Sequence, residues 1–120
     1  MVSAEEEISM YVSKLDGLKK AISDLPKNTP SWTVYSVVSE CRKQAADIYL
    51  SVKDTDWYTA IEGYEGSLLD PVYILTFGML GRAKRTEKAF VGRFGRYSFE
   101  QAREVYMSIK EIGRIADKTF

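Results

Sequence analysis

The chain has 120 residues, 45% hydrophobic and 28% charged, enough to bury a single core over residues 1–120 and too short for two. Lysine and arginine together number 17, as do aspartate and glutamate. This even balance argues against a dedicated nucleic-acid binder, which needs surplus cations for the phosphates. With no histidine, neither a Ser-His-Asp nor a Cys-His arrangement can be built, and no metal or cofactor site is expected.

From Ser3 onward, Ile8, Met10, Tyr11, Val12, Leu15, Leu18, Ile22 and Leu25 recur in steps of three and four, the period of one buried helical face. Ser3 followed by Glu6 forms a capping box, Glu5, Glu6 and Glu7 suit the positive end of the helix dipole, and Pro26 stops the helix. A signal or transit peptide would be basic there, so the chain reads as cytosolic or as a mature form whose targeting segment has been removed. Thr29 is expected to cap a second helix, with Pro30 at its first position and Val34, Val38, Cys41, Ala45, Ile48 and Val52 along its stripe, ending near Lys53. Cys41 on that stripe reads as a small core residue, and being the only cysteine it forms no internal disulfide.

Asp54-Thr55-Asp56 is a polar break and cap for a short third segment, with Trp57, Ala60, Ile61 and Tyr64 on one side and Gly63 and Gly66 interrupting it. Asp70-Pro71 opens a further helix with Val72, Leu75, Met79, Ala83 and Phe90 on its face, weakened by Gly78 and Gly81 and ended by Gly92 to Gly95. The charge-free run from Pro71 to Gly81 would reach about 16 Å as a helix against the roughly 30 Å of a bilayer core, so no membrane span is expected. Ser98, with Gln101 three residues on, is expected to cap the last helix, whose face is Phe99, Ala102, Val105, Tyr106, Ile109, Ile112 and Ala116. No strict alternation occurs. The expected fold is all-α, an antiparallel up-down-up-down four-helix bundle with a short extra helix before the third long one.

Charge is unevenly spread along this neutral chain. Arg82, Lys84, Arg85, Lys88, Arg93 and Arg96 face only Glu87, six cations against one anion, a net +5 between residues 82 and 96. Asp54, Asp56, Glu62, Glu65 and Asp70 form an uninterrupted acidic stretch. The basic cluster reads either as a solvated helix face favoured by the helix dipole or as a docking surface for an acidic partner. Glu62 and Glu65 lack a substrate-binding element and read as solvated helix acids, and Asp54-Thr55-Asp56-Trp57 stops two ligands into a calcium-loop pattern. Gly78 with Gly81, and Gly92 with Gly95, lack the strand, lysine and hydroxyl of a phosphate loop. Of the aromatic residues, Trp57, Tyr64 and Tyr106 fit the core. Trp32 and Tyr58 fall off the main stripes and are candidate exposed anchors for a protein partner, helix-end packing being the alternative for Trp32.

The succession Asp56-Trp57, Ala60-Ile61, Tyr64 and Gly66-Ser67-Leu68-Leu69, followed by a helix with a basic end and then by Phe99-Glu100-Gln101-Ala102 and Tyr106, resembles the PsbQ-like extrinsic subunits of photosystem II over about residues 44–117. Ser67 and Leu69 stand where that family has a proline and its second glycine. The proline-rich arm of plant members and the histidines of some bacterial ones are absent, so a divergent algal type is the better match. The resemblance implies a non-catalytic thylakoid-lumen protein, monomeric when free and peripheral to the membrane. Such a subunit docks on the lumenal face of photosystem II, helps retain calcium and chloride at the water-oxidising manganese cluster and binds no nucleic acid. Arg82, Lys84, Arg85, Lys88, Arg93 and Arg96 would carry the docking. A soluble helical adaptor, binding through Trp32, Tyr35 or Tyr58, is the alternative, and a small carboxylate enzyme using Glu62 or Glu65 ranks below it.

Overall fold

The computed structural model describes residues 2–69 and 77–120. The described residues form five α-helices and no strand: α1 (Ala4–Ser23), α2 (Ser31–Val52), α3 (Asp56–Leu69), α4 (Phe77–Phe94) and α5 (Arg96–Thr119). The all-α expectation holds. The Asp70-Pro71 cap and the face positions Val72 and Leu75 lie outside the described residues, as does the side chain of Met79.

Ser3 caps α1 as expected, its hydroxyl accepting from the Glu6 amide at 3.2 Å. Thr29 does not cap α2: its hydroxyl donates back to the Pro26 carbonyl at 2.6 Å, closing the turn after α1, and Pro30 becomes the cap position. At the next break the cap is Thr55, whose hydroxyl accepts from the Tyr58 amide, while Asp56 falls in the first turn of α3. Gly63 and Gly66 do not interrupt α3. A glycine costs a helix only about 1 kcal/mol, which the buried row beside these two outweighs.

The boundary between α4 and α5 also differs from expectation. α4 runs through Gly92 to Phe94, and Gly95 alone separates it from α5. Gly95 has φ 94° and ψ 160°, a backbone region open essentially to glycine alone. An added Cβ would meet nothing within 4 Å, so the glycine is needed for its backbone freedom and not for space. This single-residue turn starts α5 at Arg96, which leaves Ser98 buried inside the helix and not at its cap.

α5, whose 24 residues span about 36 Å, packs against each of the other four helices. α1 and α2 pack on each other and on α5, while α3 and α4 pack on each other and on α5. Tyr58 meets Tyr106, and Tyr64, further along α3, meets Phe99, earlier in α5, so these two helices run antiparallel. The molecule extends 50 × 40 × 21 Å with a radius of gyration of 16.4 Å, against about 13.6 Å for a spherical chain of this length. It is a flat plate whose two halves share one spine.

The core joins Ile8, Leu15, Cys41, Val52, Ile61, Phe90, Phe99, Val105 and Ile112 in one buried cluster. Met10, placed on the α1 face by periodicity, is instead 42% exposed. Cys41 is buried and its thiol donates to the Leu18 carbonyl at 3.6 Å; burial, reinforced by Glu40, pushes the thiol above its ordinary value, away from the thiolate a nucleophile needs.

Candidate functional site

The structure sorts five of the six basic residues of the sequence cluster into two kinds. Arg93 pairs with Asp56 at 3.2 Å and lies over the Phe94 ring, tying the end of α4 to the start of α3. Arg96 pairs with Glu87 and lies over Phe99, bracing the turn at Gly95. Lys84, Arg85 and Lys88 are exposed on α4 and make no ion pair among the described residues. Arg82 lies on α4, with its side chain outside the described residues. Spacing explains this division. Lys84 and Lys88 are one helical turn apart, and Arg85 projects about 100° round from Lys84, so α4 presents a cationic surface beyond the two structural pairs.

Lys84, Glu87, Lys88, Val91 and Arg96 line an open groove of about 260 Å³. Three cations and one carboxylate give it a net charge of +2, with Val91 as its apolar element.

The aromatic expectations divide. Trp32 is 75% exposed, as an anchor requires. It lies at the start of α2, whose Tyr35 packs tilted against Phe120 with centroids 4.6 Å apart, at the opposite end of α5 from the basic residues. Tyr58 is not an exposed anchor: it is 2% exposed and ringed by Tyr49, Trp57 and Tyr106. Trp57 and Tyr106 are buried and Tyr64 is half-buried against Phe99. The indole N–H of Trp57 has no hydrogen-bond partner among the described residues.

Burial pushes the Tyr58 phenol well above its ordinary 10.0, with Glu62 reinforcing the shift, and burial likewise raises Tyr64 against the opposing Arg103 guanidinium. Below that ordinary value both phenols are neutral whether folded or unfolded, so they add no pH dependence. Above it, the unfolded chain releases protons that the folded chain holds, so stability falls as the pH rises, chiefly through Tyr58, for which the slope approaches about 1.4 kcal/mol per pH unit. Urea midpoints followed from about pH 9 to 11 should decline less steeply in Tyr58→Phe than in the parent; parallel profiles would remove Tyr58 from this role.

Glu65 corrects the reading of solvated acids. Glu62 is exposed, but Glu65 is 7% exposed and its carboxylate accepts from the Arg103 Nε–H. That hydrogen bond raises Arg103 further above its ordinary value, against the desolvation that lowers it. The Arg103 guanidinium also lies over the Tyr64 ring at 5.3 Å. The buried row of α3 is therefore Trp57, Tyr58, Ile61 and Glu65, rotated from the expected stripe, with Ala60 and Tyr64 at its edge. Arg103 went unnoticed in the sequence. The available signal was Glu65 at the third place of the apolar four-residue period 57, 61, 65, a carboxylate that needs a cation if it is buried.

Among the described residues no group of three or more cysteine, aspartate and glutamate side chains converges to hold a metal, and no helix is long and apolar enough to cross a membrane. No family model matches the chain, and no curated protein and no solved structure matches it.

Proposed function

We propose that the protein is a non-catalytic docking subunit whose α4 face, through Lys84, Arg85 and Lys88, binds an acidic partner surface. The observation that carries this reading is that these three exposed cations have no carboxylate partner among the described residues, while the neighbouring arginines do. Cations in this state steer association and respond to salt. The resemblance supplies the partner: the lumenal face of photosystem II, in the thylakoid lumen, where the bound subunit stabilises the water-oxidising manganese cluster and its calcium and chloride. An antiparallel up-down-up-down bundle of α1, α2, α4 and α5 would need α4 to pack on α2, whereas among the described residues α4 packs on α3 and α5, so the fold that goes with this reading is the all-α plate built on α5. Arg93 and Arg96 move from docking to bracing.

Photosystem II particles stripped of extrinsic proteins should bind the purified chain saturably at low salt, release it at high salt and regain oxygen evolution. Reversing all three charges, Lys84→Glu with Arg85→Glu and Lys88→Glu, should weaken binding at low salt by about 100-fold, roughly 1 kcal/mol for each charge. Unchanged binding with unchanged salt dependence would overturn the assignment. The adaptor reading is favoured by one observation, the exposed Trp32 and Tyr35. It requires binding that is insensitive to salt and lost in Trp32→Ala.

A further inference from the structure

Away from the α4 face, a hollow of about 470 Å³ lies where α3 meets α5, lined by Glu65 of α3 and by Tyr106, Met107, Lys110, Arg114 and Asp117 of α5. Its volume falls within the range of about 300–1,000 Å³ usual for small-molecule sites. Tyr106, packed on Tyr58, and Met107, which is 51% exposed, supply its apolar surface. The Lys110 ammonium stands 5.0 Å from the centroid of the Tyr106 ring, so a positive charge and an apolar surface lie within the length of one small molecule.

The charges that line this hollow are committed unequally. The Glu65 carboxylate is buried and accepts from the Arg103 Nε–H, so its charge is already neutralised within the protein. Lys110, Arg114 and Asp117 are exposed, and none of them makes an ion pair among the described residues. Two cations against one anion leave a net charge of +1. The larger hollow between α1 and α5, of about 640 Å³, differs: its Lys19 is held by Asp16 at 3.6 Å and by Glu111 at 3.8 Å, and no ring lines it.

These features select one kind of ligand. A cation seeking the Tyr106 ring would meet Lys110 already over it. A bare inorganic anion would use the two cations and leave the ring and the thioether uncovered. An apolar body that ends in a carboxylate uses both, since hydrogen bonds from ammonium and guanidinium groups to a carboxylate are the strong ones and an aromatic face rewards a flat apolar neighbour.

We propose that this hollow binds a small amphiphilic monoanion, its apolar body against Tyr106 and Met107 and its carboxylate on Lys110 and Arg114. The site shares no residue with the docking face, so either can fail without the other.

The test is an NMR titration of the full chain with three probes built on one naphthalene body: the carboxylate, the neutral carboxamide and the cationic methylammonium. The carboxylate should saturate a single site, shift the amides around Tyr106, Met107 and Lys110, and bind about tenfold more tightly than the carboxamide. Lys110→Gln with Arg114→Gln should bring the carboxylate down to the affinity of the carboxamide; both side chains are exposed, so the thermal midpoint should hold. Met107→Ala should weaken carboxylate and carboxamide alike, by about threefold. Lys84→Gln with Lys88→Gln, on α4, should leave the carboxylate unchanged.

Equal affinity for carboxylate and carboxamide, or tighter binding of the methylammonium, would overturn the anion site. So would carboxylate binding that survives the Lys110 and Arg114 replacements, shifts confined to another face of the molecule, or no saturation at millimolar carboxylate. Phosphatidylglycerol vesicles are the remaining probe: binding to them that disappears in the same double variant would assign both cations to a lipid surface and overturn the small-molecule site.

Discussion

Ile112→Ala is expected to lower the unfolding free energy by about 4 kcal/mol, within the 2–5 kcal/mol seen when a buried isoleucine is cut back. Ile112 is 0% exposed and belongs to the same buried cluster as Ile8 and Leu15 of α1 and Cys41 of α2. It projects from the helix that all the others share. A flat plate has less interior in which neighbours can collapse into a void, so the upper half of the range is the relevant one. Since domains of this size are stable by only about 5–15 kcal/mol, the midpoint in thermal unfolding should drop by about 10–15 °C. Leu50→Ala is the matched control, because Leu50 is 62% exposed and its truncation should change stability by less than about 0.5 kcal/mol. Similar midpoint shifts for the two would mean that α5 is not the spine.

The helical content was legible because each long helix carries its own period. Ile8, Val12 and Leu15, or Val38, Cys41, Ala45, Ile48 and Val52, are buried where steps of three and four place them. Ser3 could be read as a cap because a serine before a run of glutamates has one favourable local use. Thr29 departs from expectation because a hydroxyl can bond several nearby backbone groups and this one closes the turn after α1, and Ser98 because the turn before it starts α5 two residues early, at Arg96. At Gly95 that turn consumes a single residue, which local propensity does not specify.

The candidate site was legible as charge and not as pairing. Six cations in fifteen residues are visible in the sequence, but whether each is bound depends on helices that arrive from elsewhere in the chain. Asp56 reaches Arg93 across 37 positions and Glu65 reaches Arg103 across 38. Tyr58 falls off the stripe that spacing assigns to α3, yet the buried row is rotated to 57, 58, 61 and 65, and Tyr49 of α2 and Tyr106 of α5 close over its ring.

Arg103→Leu is expected to cost about 2–4 kcal/mol, and Glu65→Leu clearly less. The asymmetry follows from burial. The Glu65 side chain is 9% exposed and that of Arg103 35%, so removing the arginine strands a carboxylate away from water, whereas removing the glutamate leaves a guanidinium that can turn toward it. Breaking a fully buried pair costs about 3–5 kcal/mol, and the partial exposure of Arg103 lowers the expectation. Replacing both by leucine removes the stranded charge and should restore stability to within about 1 kcal/mol of the parent, a non-additivity that a double-mutant cycle in urea measures directly. If the double variant is as unstable as Arg103→Leu, the loss lies in packing and not in the uncompensated carboxylate. The clamp also bears on docking. The largely exposed pairs Arg93–Asp56 and Arg96–Glu87 contribute at most about 1 kcal/mol each, so packing such as that of Phe90 against Phe99, one turn before Arg103, holds α4 on α5. Loosening α3 from α5 there should weaken partner binding while leaving Lys84, Arg85 and Lys88 untouched, and the double variant should recover binding together with stability.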